Sequence, residues 1–349
     1  MIPLVSVNLV VRNGEKYVRG CLSAVLNQTY GNLELTVFDN NSTDGTKEIV
    51  RKEFPRFRLI ENNVNYNFGT GQNRCAGLTK GEYILGLCVD VFLDKDFIKN
   101  AVAVMEADKK IGALQAKIYK MACDLEATPP SRKNECRKTN IIDTAGFEIY
   151  RSRRIVNRGH GEEDKGQFNK SEEIFSYEGA CPFFRRAALE DAAVPSSAAD
   201  GHKEFHDEDF WWYADDIDLG WRLRLFGWKS FFAPDVIAYH DRSTTKRLSK
   251  GYRDFVKMRR ELPALKKRLD WQNTQLTLLK NDICANVLKD FFPFFRRQFS
   301  LFVYFLIFEQ STLPAIPKIL LMLPRMLKKR RYIIKYKRAS AEEMERWFR

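Results

Sequence analysis

Two groups of carboxylates stand where ordinary structural roles explain them poorly. Asp90 ends an apolar run, Ile84-Leu85-Gly86-Leu87-Cys88-Val89, and Val91-Phe92 follow it. A carboxylate among apolar neighbours is costly unless it is paired, hydrogen-bonded or bound to a cation. Hard divalent cations are commonly held by one or two carboxylates together with substrate phosphates. The second group lies in His206-Asp207-Glu208-Asp209-Phe210-Trp211-Trp212-Tyr213-Ala214-Asp215-Asp216-Ile217-Asp218. Leu219, Arg222, Leu223 and Phe226 continue at helical spacing, so Asp215, Asp216 and Asp218 crowd a helix's first turn. The helix dipole favours acids there, and Asp215 could serve only as a cap. Three acids in four positions exceed what capping needs. Like charges held close raise one pKa, which suits a general base. Trp211, Trp212 and Tyr213 offer a platform on which a sugar could stack, or alternatively a piece of core. His240 closes the apolar strand Val236 to Tyr239, where it could complete a metal site with Asp90 or serve structurally. His202 and His206 are spaced HxxxH without the Glu of a zinc protease, and are expected in a solvated loop.

The elements that must position these residues follow from hydrophobic patterning. Leu4 to Val11 reads as a strand buried on both faces. A helix to Gln28 follows, then a strand Leu33 to Phe38, a helix through Ile49 and Val50 with Ser42 or Thr43 as its cap, and a short strand Phe57 to Ile60. A helix around Gln72 to Leu78 leads to a fourth strand, Tyr83 to Val89, and Asp94 is expected to cap the next helix. This alternation predicts a mostly parallel α/β sheet, which binds ligands at the carboxyl ends of its strands. Asn13, Asp39 and Asp90 all fall there. The stretch from Gly69 reads GTGQNR, with no third glycine and no preceding first strand, so it is not a dinucleotide fingerprint. A GxxxxGK[ST] phosphate loop is absent as well.

Charge divides the chain. Of a net +13, the last 104 residues from Lys246 carry +16 and residues 1–245 carry −3. The seven cysteines include no CxxC pair, which argues against a zinc ribbon or a disulfide framework. Free thiols, a reducing compartment and no secretory leader are the expectation.

Taken in order, SVNLVVRNGEKYVRGCLSAVLNQTY, FDNNSTDGT, NYNFGTGQNRCAG, LCVDVFL, GACPFFRRAAL and DEDFWWYADDIDLGWRLRLFGWKSFFAPDVIAYH resemble family 2 glycosyltransferases of the GT-A fold, within them bacterial rhamnosyltransferase-like members, over residues 3–245. The resemblance implies a nucleotide-diphospho-sugar transferase: a Rossmann-like, mostly parallel sheet flanked by helices. It divides the chain into a nucleotide-sugar-binding half at 1–120, an acceptor and catalytic half at 140–245, and a basic helical segment at 246–349. Asn13, Asp39, Asn41, Asn67, Gly69, Asn73 and Asp90 would line the donor site. Asp90, with His240 as a further contact, would hold Mg²⁺ or Mn²⁺ against the donor diphosphate. Asp216, beside Asp215, would be the general base of a single inverting displacement, and Trp211, Trp212 and Tyr213 would meet the acceptor. Where the family's acidic motif has two carboxylates, this chain has Cys88-Val89-Asp90, and Asn67 replaces a glycine common in its loop. A catalytically silent relative is the alternative these departures keep open. Ala122 to Thr139 reads as a family-variable loop.

The basic segment contains FFPFFRRQFSLFVYFLIF at 291–308 and LPAIPKILLMLPRML at 313–327. The longest uncharged apolar part, Phe299 to Phe308, is about half of the ~20 residues a span needs. Apolar pieces flanked by Lys and Arg suggest in-plane association with an anionic membrane, or else a helical subdomain on the catalytic body. The expected partners are a dTDP- or UDP-sugar, a lipid-linked glycan and an anionic membrane surface, with no nucleic acid. The expected location is cytoplasmic, peripheral on the inner face of the cell membrane. A nucleic-acid-binding protein using the basic tail is the rival, but long aliphatic blocks between the charges favour lipid.

Overall fold

The computed structural model describes residues 2–123, 136–198, 201–242 and 252–349. Strands β1 (Val5–Val11), β2 (Leu33–Asp39), β3 (Arg58–Glu61) and β4 (Tyr83–Leu87) alternate with helices α1 (Val18–Leu26), α2 (Thr46–Glu53) and α3 (Phe68–Gly77). After β5 (Val91–Leu93) and α4 (Phe97–Ala107) come the long strands β6 (Ile111–Cys123) and β7 (Cys136–Thr144). A short hairpin, β8 (Phe147–Ile149) and β9 (Ile155–Asn157), precedes β10 (Glu172–Ile174), β11 (Phe183–Arg185) and α5 (Arg186–Ala192). A second hairpin, β12 (Val194–Pro195) and β13 (Lys203–Glu204), leads to α6 (Asp215–Leu225) and β14 (Lys229–His240).

The main sheet runs in the order β10-β14-β6-β11-β4-β1-β2-β3, with β5 paired to β14 and β7 to β6. The strands β3, β2, β1 and β4 are mutually parallel, and β6 and β14 keep the same direction. Between β4 and β6, β11 runs antiparallel to both. Every residue of β1, VSVNLVV, is buried, as its unbroken apolar pattern requires of a central parallel strand. The fourth strand ends at Leu87, two residues earlier than the apolar run suggests, so Asp90 sits in a turn. Strand β5 then lies antiparallel to β14 with Val91 opposite His240, which brings Asp90 and His240 together. Helix α2 is capped at Gly45 and α4 at Asp96, a few residues after the expected Ser42 or Thr43 and Asp94.

Downstream lie α7 (Tyr252–Glu261), α8 (Ala264–Asn281), α9 (Cys284–Lys289), α10 (Phe291–Phe308), α11 (Ala315–Tyr336) and α12 (Ala341–Glu345). Leu278, Ile333, Met344 and Phe348 share one hydrophobic cluster with Leu219, Trp221 and Leu223 of α6. Residues 1–245 and 246–349 thus share a core. The segment 291–308, whose uncharged part alone is too short to span, forms a single 18-residue helix whose full length and composition suffice to cross a membrane. Pro293 falls in its first turn, where a missing N–H breaks no helical bond.

The cysteines need a correction. Cys136 is disulfide-bonded, with Cys123 directly across from it in the β6–β7 register. Cys21, Cys75, Cys88, Cys181 and Cys284 are free. Most of the variable loop, 124–135, lies outside the described residues.

Candidate active site

At the carboxyl end of the sheet a chain of alternating charges runs from Asp90 toward α6. His240 Nε2 lies 3.4 Å from Asp90 Oδ2, and its Nδ1 lies 2.9 Å from Oδ2 of the buried Asp143. Arg242 donates to Asp143 Oδ1 at 2.9 Å through Nε and to Glu178 Oε1 at 2.6 Å through Nη2. Burial alone would lower the His240 pKa, but its two carboxylate partners prevail and raise it to about 9. Burial pushes Asp143 the other way, and there the His240 hydrogen bond and the Arg242 charge win, holding it at about 2.

A divalent cation fits this corner. Asp90 offers a partly exposed carboxylate oxygen, and His240, once a cation displaces its Nε2 proton, offers an imidazole whose other nitrogen is oriented by a carboxylate, a usual outer-shell arrangement around metals. Two protein ligands leave room for donor phosphates. Asp143, Arg242 and Glu178 were not picked out from the sequence. Ile141-Ile142-Asp143 carries the same signal as Asp90, an acid after apolar residues, and could have been found by it.

The three acids of α6 separate into two roles. Asp216 Oδ2 accepts the Gly179 N–H at 3.1 Å and Oδ1 accepts the Ile217 N–H at 2.8 Å. Burial, then the charges of Asp215 and Glu178, push its pKa well up. Burial, with the charges of Asp218 and Glu178, raises Asp215 to about 6. Asp218 is instead fully buried against Lys280 at 2.8 Å, Asn281 Nδ2 at 2.7 Å and Arg222 Nη2 at 3.1 Å. Tyr213 and Ala214, just before the helix, have φ of 70° and 63°, left-handed conformations that cost energy for residues with a Cβ.

His206 is not solvated as expected: it is buried, with Nδ1 3.4 Å from Asp215 Oδ2. Burial and the Arg222 charge depress it to about 3, so it stands neutral beside Asp215. His202, in contrast, is exposed. Trp211 and Trp212 are 48% and 50% exposed, and Trp212 stacks on Tyr213 at 4.7 Å. Asn273 of α8 fixes this segment by donating to the Trp212 and Tyr213 carbonyls at 2.7 and 3.0 Å.

Elsewhere along the carboxyl edge of the sheet, Asn13, Asp39 and Asn41 follow or end the adjacent strands β1 and β2. Asn13 and Asn41 are left-handed, with φ of 52° and 64°, which asparagine tolerates. Asn13 Oδ1 accepts the Thr43 N–H at 2.9 Å, and Asp39 Oδ1 accepts the Ser42 N–H at 2.9 Å. Asp39 Oδ2 is buried with no hydrogen-bond partner, an acceptor that a ligand N–H or O–H could satisfy.

Asn67, Gly69 and Asn73 face the loop before α6. Asn67 Oδ1 caps α3 at the Thr70 N–H (2.6 Å) while its Nδ2 donates to the Glu208 carbonyl (2.8 Å). Asn73 binds both backbone groups of His206, at 3.0 and 2.9 Å. A Cβ on Gly69 would meet the His206 Cβ at 2.9 Å, so glycine permits this approach. A cavity of about 680 Å³, lined by Lys117, Tyr119, Asp164 and Tyr239 among others, includes none of the residues that carry the chemistry.

With this geometry in view, likeness to known proteins is informative. The model of glycosyl transferase family 2 matches residues 6–192. A chondroitin synthase of Escherichia coli is 36% identical over 116 residues, 32% of this chain and 17% of that protein. The E. coli UDP-Glc:alpha-D-GlcNAc-diphosphoundecaprenol beta-1,3-glucosyltransferase WfaP is 31% identical over 107 residues, 30% of this chain and 43% of its own. The chain thus spans less than half the length of these curated relatives. Among solved structures, S. aureus TarS 1-349 in complex with UDP-GlcNAc has a TM-score of 0.52 at 18% identity, covering 99% of this chain and 89% of that one. Mannosyltransferase PcManGT from Pyrobaculum calidifontis, in complex with GDP-Man and Mn²⁺, has a TM-score of 0.50 at 17% identity, covering 96% and 86%. Strand order, the acids at the strand ends and a family match over more than half the sequence agree: the chain has the GT-A fold and belongs to glycosyltransferase family 2.

Proposed function

We propose that this chain is an inverting glycosyltransferase. It takes a sugar, with rhamnose a leading candidate, from a UDP- or dTDP-sugar and places it on a hydroxyl of a lipid-linked glycan or cell-surface polysaccharide precursor. The observation that carries this reading is Asp216, a partly buried carboxylate of raised pKa, oriented by the Gly179 N–H next to Glu178, from which Arg242 and Asp143 lead to the Asp90–His240 corner. A nucleotide base and ribose find Asn13, Asn41 and the free Asp39 oxygen at the ends of β1 and β2. The exposed Trp211 and Trp212 receive the acceptor.

Asp216 takes the proton of the acceptor hydroxyl as its oxygen attacks the anomeric carbon. The bond from that carbon to the diphosphate breaks, and the nucleoside diphosphate leaves from the opposite face, which inverts the centre. Asp90 and His240 would hold the divalent cation, Mg²⁺ or Mn²⁺, whose positive charge stabilises the departing diphosphate. Asp215 sustains the raised pKa of Asp216, and neutral His206 packs behind it. Asn67, Gly69 and Asn73 serve the donor site by anchoring the 206–208 loop. The name of WfaP, which acts on a diphosphoundecaprenol-linked sugar, supports the lipid-linked acceptor, and the chondroitin synthase supports polysaccharide assembly. We assign the enzyme to the cytoplasmic face of the membrane, where nucleotide-sugars are made, with residues 1–245 carrying donor and acceptor sites and 246–349 bracing them.

The nucleic-acid reading loses ground because part of the tail's charge is spent internally, with Lys280 and Lys329 buried in ion pairs. The test is a panel of UDP- and dTDP-sugars, with and without Mn²⁺, read by thermal stabilisation and nucleoside diphosphate release. Stabilisation and Mn²⁺-dependent release with one donor are expected; no response to any donor would overturn the reading.

A further inference from the structure

We propose that α10 and the outward face of α11 form a lipid-docking surface that lies flat on an anionic bilayer and sets the Trp211–Asp216 segment at the membrane. It rests on the reading of a lipid-linked acceptor and adds the surface that would meet it. Leu288, Phe292, Phe295, Phe299, Phe302 and Leu306 recur every three or four residues and are all exposed, a single apolar stripe along α9 and α10. Phe292 is 79% exposed and Phe299 58%, while of the α10 side chains only Phe305 is buried. Phe291, Phe295 and Phe299 stack in a ladder at 5.6 and 6.2 Å. A stripe this long is unusual on a surface that meets only water.

Both ends of α10 are tied to the same body, which argues for lying flat. At the start, Asp290 takes Arg151 at 2.8 Å and Arg153 at 2.7 Å. At the end, buried Glu309 takes Arg259 at 2.7 Å, and Phe305 packs edge-on against Trp271. An 18-residue helix is about 27 Å long, so spanning would carry one anchored end across the hydrocarbon. Arg296 and Arg297, the sixth and seventh residues of the helix, reach headgroups directly when the helix lies in the interface, whereas a spanning helix would have to snorkel them out.

Charge selects the occupant. The outer side of α11 mixes exposed Leu320, Leu321 and Leu327 with exposed Lys318, Arg325 and Lys328. Leucines beside cations match acyl chains beneath anionic phosphates. The same helix reaches the active-site loop: Arg325 bonds Asp209 at 3.1 Å, and Lys329 on its inner side bonds Asp207 and Asp209. Trp211 follows two residues later.

The test is co-sedimentation of the full chain with phosphatidylglycerol/phosphatidylcholine vesicles against phosphatidylcholine alone, without donor or acceptor. We expect at least tenfold stronger binding to the anionic vesicles, and release of the bound protein by alkaline carbonate. Phe295→Glu/Phe299→Glu should lose binding at least tenfold while keeping its circular dichroism spectrum and its nucleoside diphosphate release with a soluble acceptor. Lys318→Glu/Lys328→Glu should abolish the preference for anionic vesicles. Equal binding to both vesicle types, resistance to carbonate, or a phenylalanine variant that only turns a dimer into a monomer would overturn the proposal. None of these outcomes bears on whether the chain transfers sugar, because donor-dependent release is read separately.

Discussion

The ammonium of Lys280, on α8, lies 2.8 Å from the carboxylate of Asp218, two residues past the Asp215–Asp216 pair, and both side chains are fully buried. The same ammonium contacts Asp207, which also takes Lys329 of α11 at 2.5 Å. Two lysines from the C-terminal helices thus neutralise acids of the loop and helix that present the candidate base. Lys280→Met should destabilise the protein by about 3 kcal/mol, because removing one partner leaves buried charge uncompensated. Thermal or urea unfolding checks this, and an unchanged midpoint would show the pair to be dispensable.

Truncation after residue 245 extends the same logic. It removes Lys280, Lys329 and Asn273 together and uncovers the cluster around Trp221. The shortened protein should aggregate or lose its cooperative transition, read by light scattering and calorimetry. A soluble, cooperatively folding 1–245 fragment would refute this account of the C-terminal helices.

Asp216→Asn should lower transfer by about 10²–10⁴, the usual contribution of a general base, with nucleoside diphosphate affinity nearly unchanged. Asparagine can still accept the Gly179 N–H but cannot take a proton. Single-turnover transfer beside a binding titration separates the two effects, and near wild-type turnover would remove Asp216 from the mechanism.

The acid pair should also set the pH profile. Burial and neighbouring carboxylates raise both groups, Asp215 to about 6, so the base form accumulates only as pH rises. kcat/KM should therefore climb through an apparent pKa near or above 6, belonging to the pair rather than to one residue. A raised acid binds its proton more tightly folded than unfolded, so its stabilising contribution is complete below the ordinary carboxylate range and fades as pH rises. Asp215→Asn should accordingly raise Tm more at pH 8 than at pH 4, and should move the acid limb downward. An unmoved limb would place the titrating base elsewhere.

Asp90→Ala should abolish the gain in nucleoside diphosphate affinity that Mn²⁺ gives the wild type. Asp143→Asn should weaken that gain about 10- to 100-fold, as loss of an orienting partner typically does. Titrations with and without Mn²⁺ distinguish them, and equal affinities under all conditions would exclude the corner as a cation site.

Much of this was legible in the sequence wherever a local rule coincided with the tertiary outcome. The apolar run of β1, the helix of α6 and the acids at strand ends announced themselves, because parallel strands are buried on both faces and their carboxyl ends carry the polar groups. Asp218 looked the same as Asp215 and Asp216 because spacing does not reveal the direction from which Lys280 arrives. His206 read as solvated because its burial depends on Asn73 and Gly69, more than a hundred residues away in the chain. The cross-link at Cys136 was missed for a related reason. Counting cysteines says nothing of the strand register that sets Cys123 across from it.

The left-handed pair Tyr213 and Ala214 has an evolutionary consequence. Ala214→Gly would relieve a conformational cost for the loss of one buried methyl group, so selection for robustness alone would lean toward glycine there. Glycine would equally loosen the backbone just before Asp215 and Asp216, whose carboxylates must hold their aim. With Asp216 as the proposed base, the alanine at this position trades durability against accuracy.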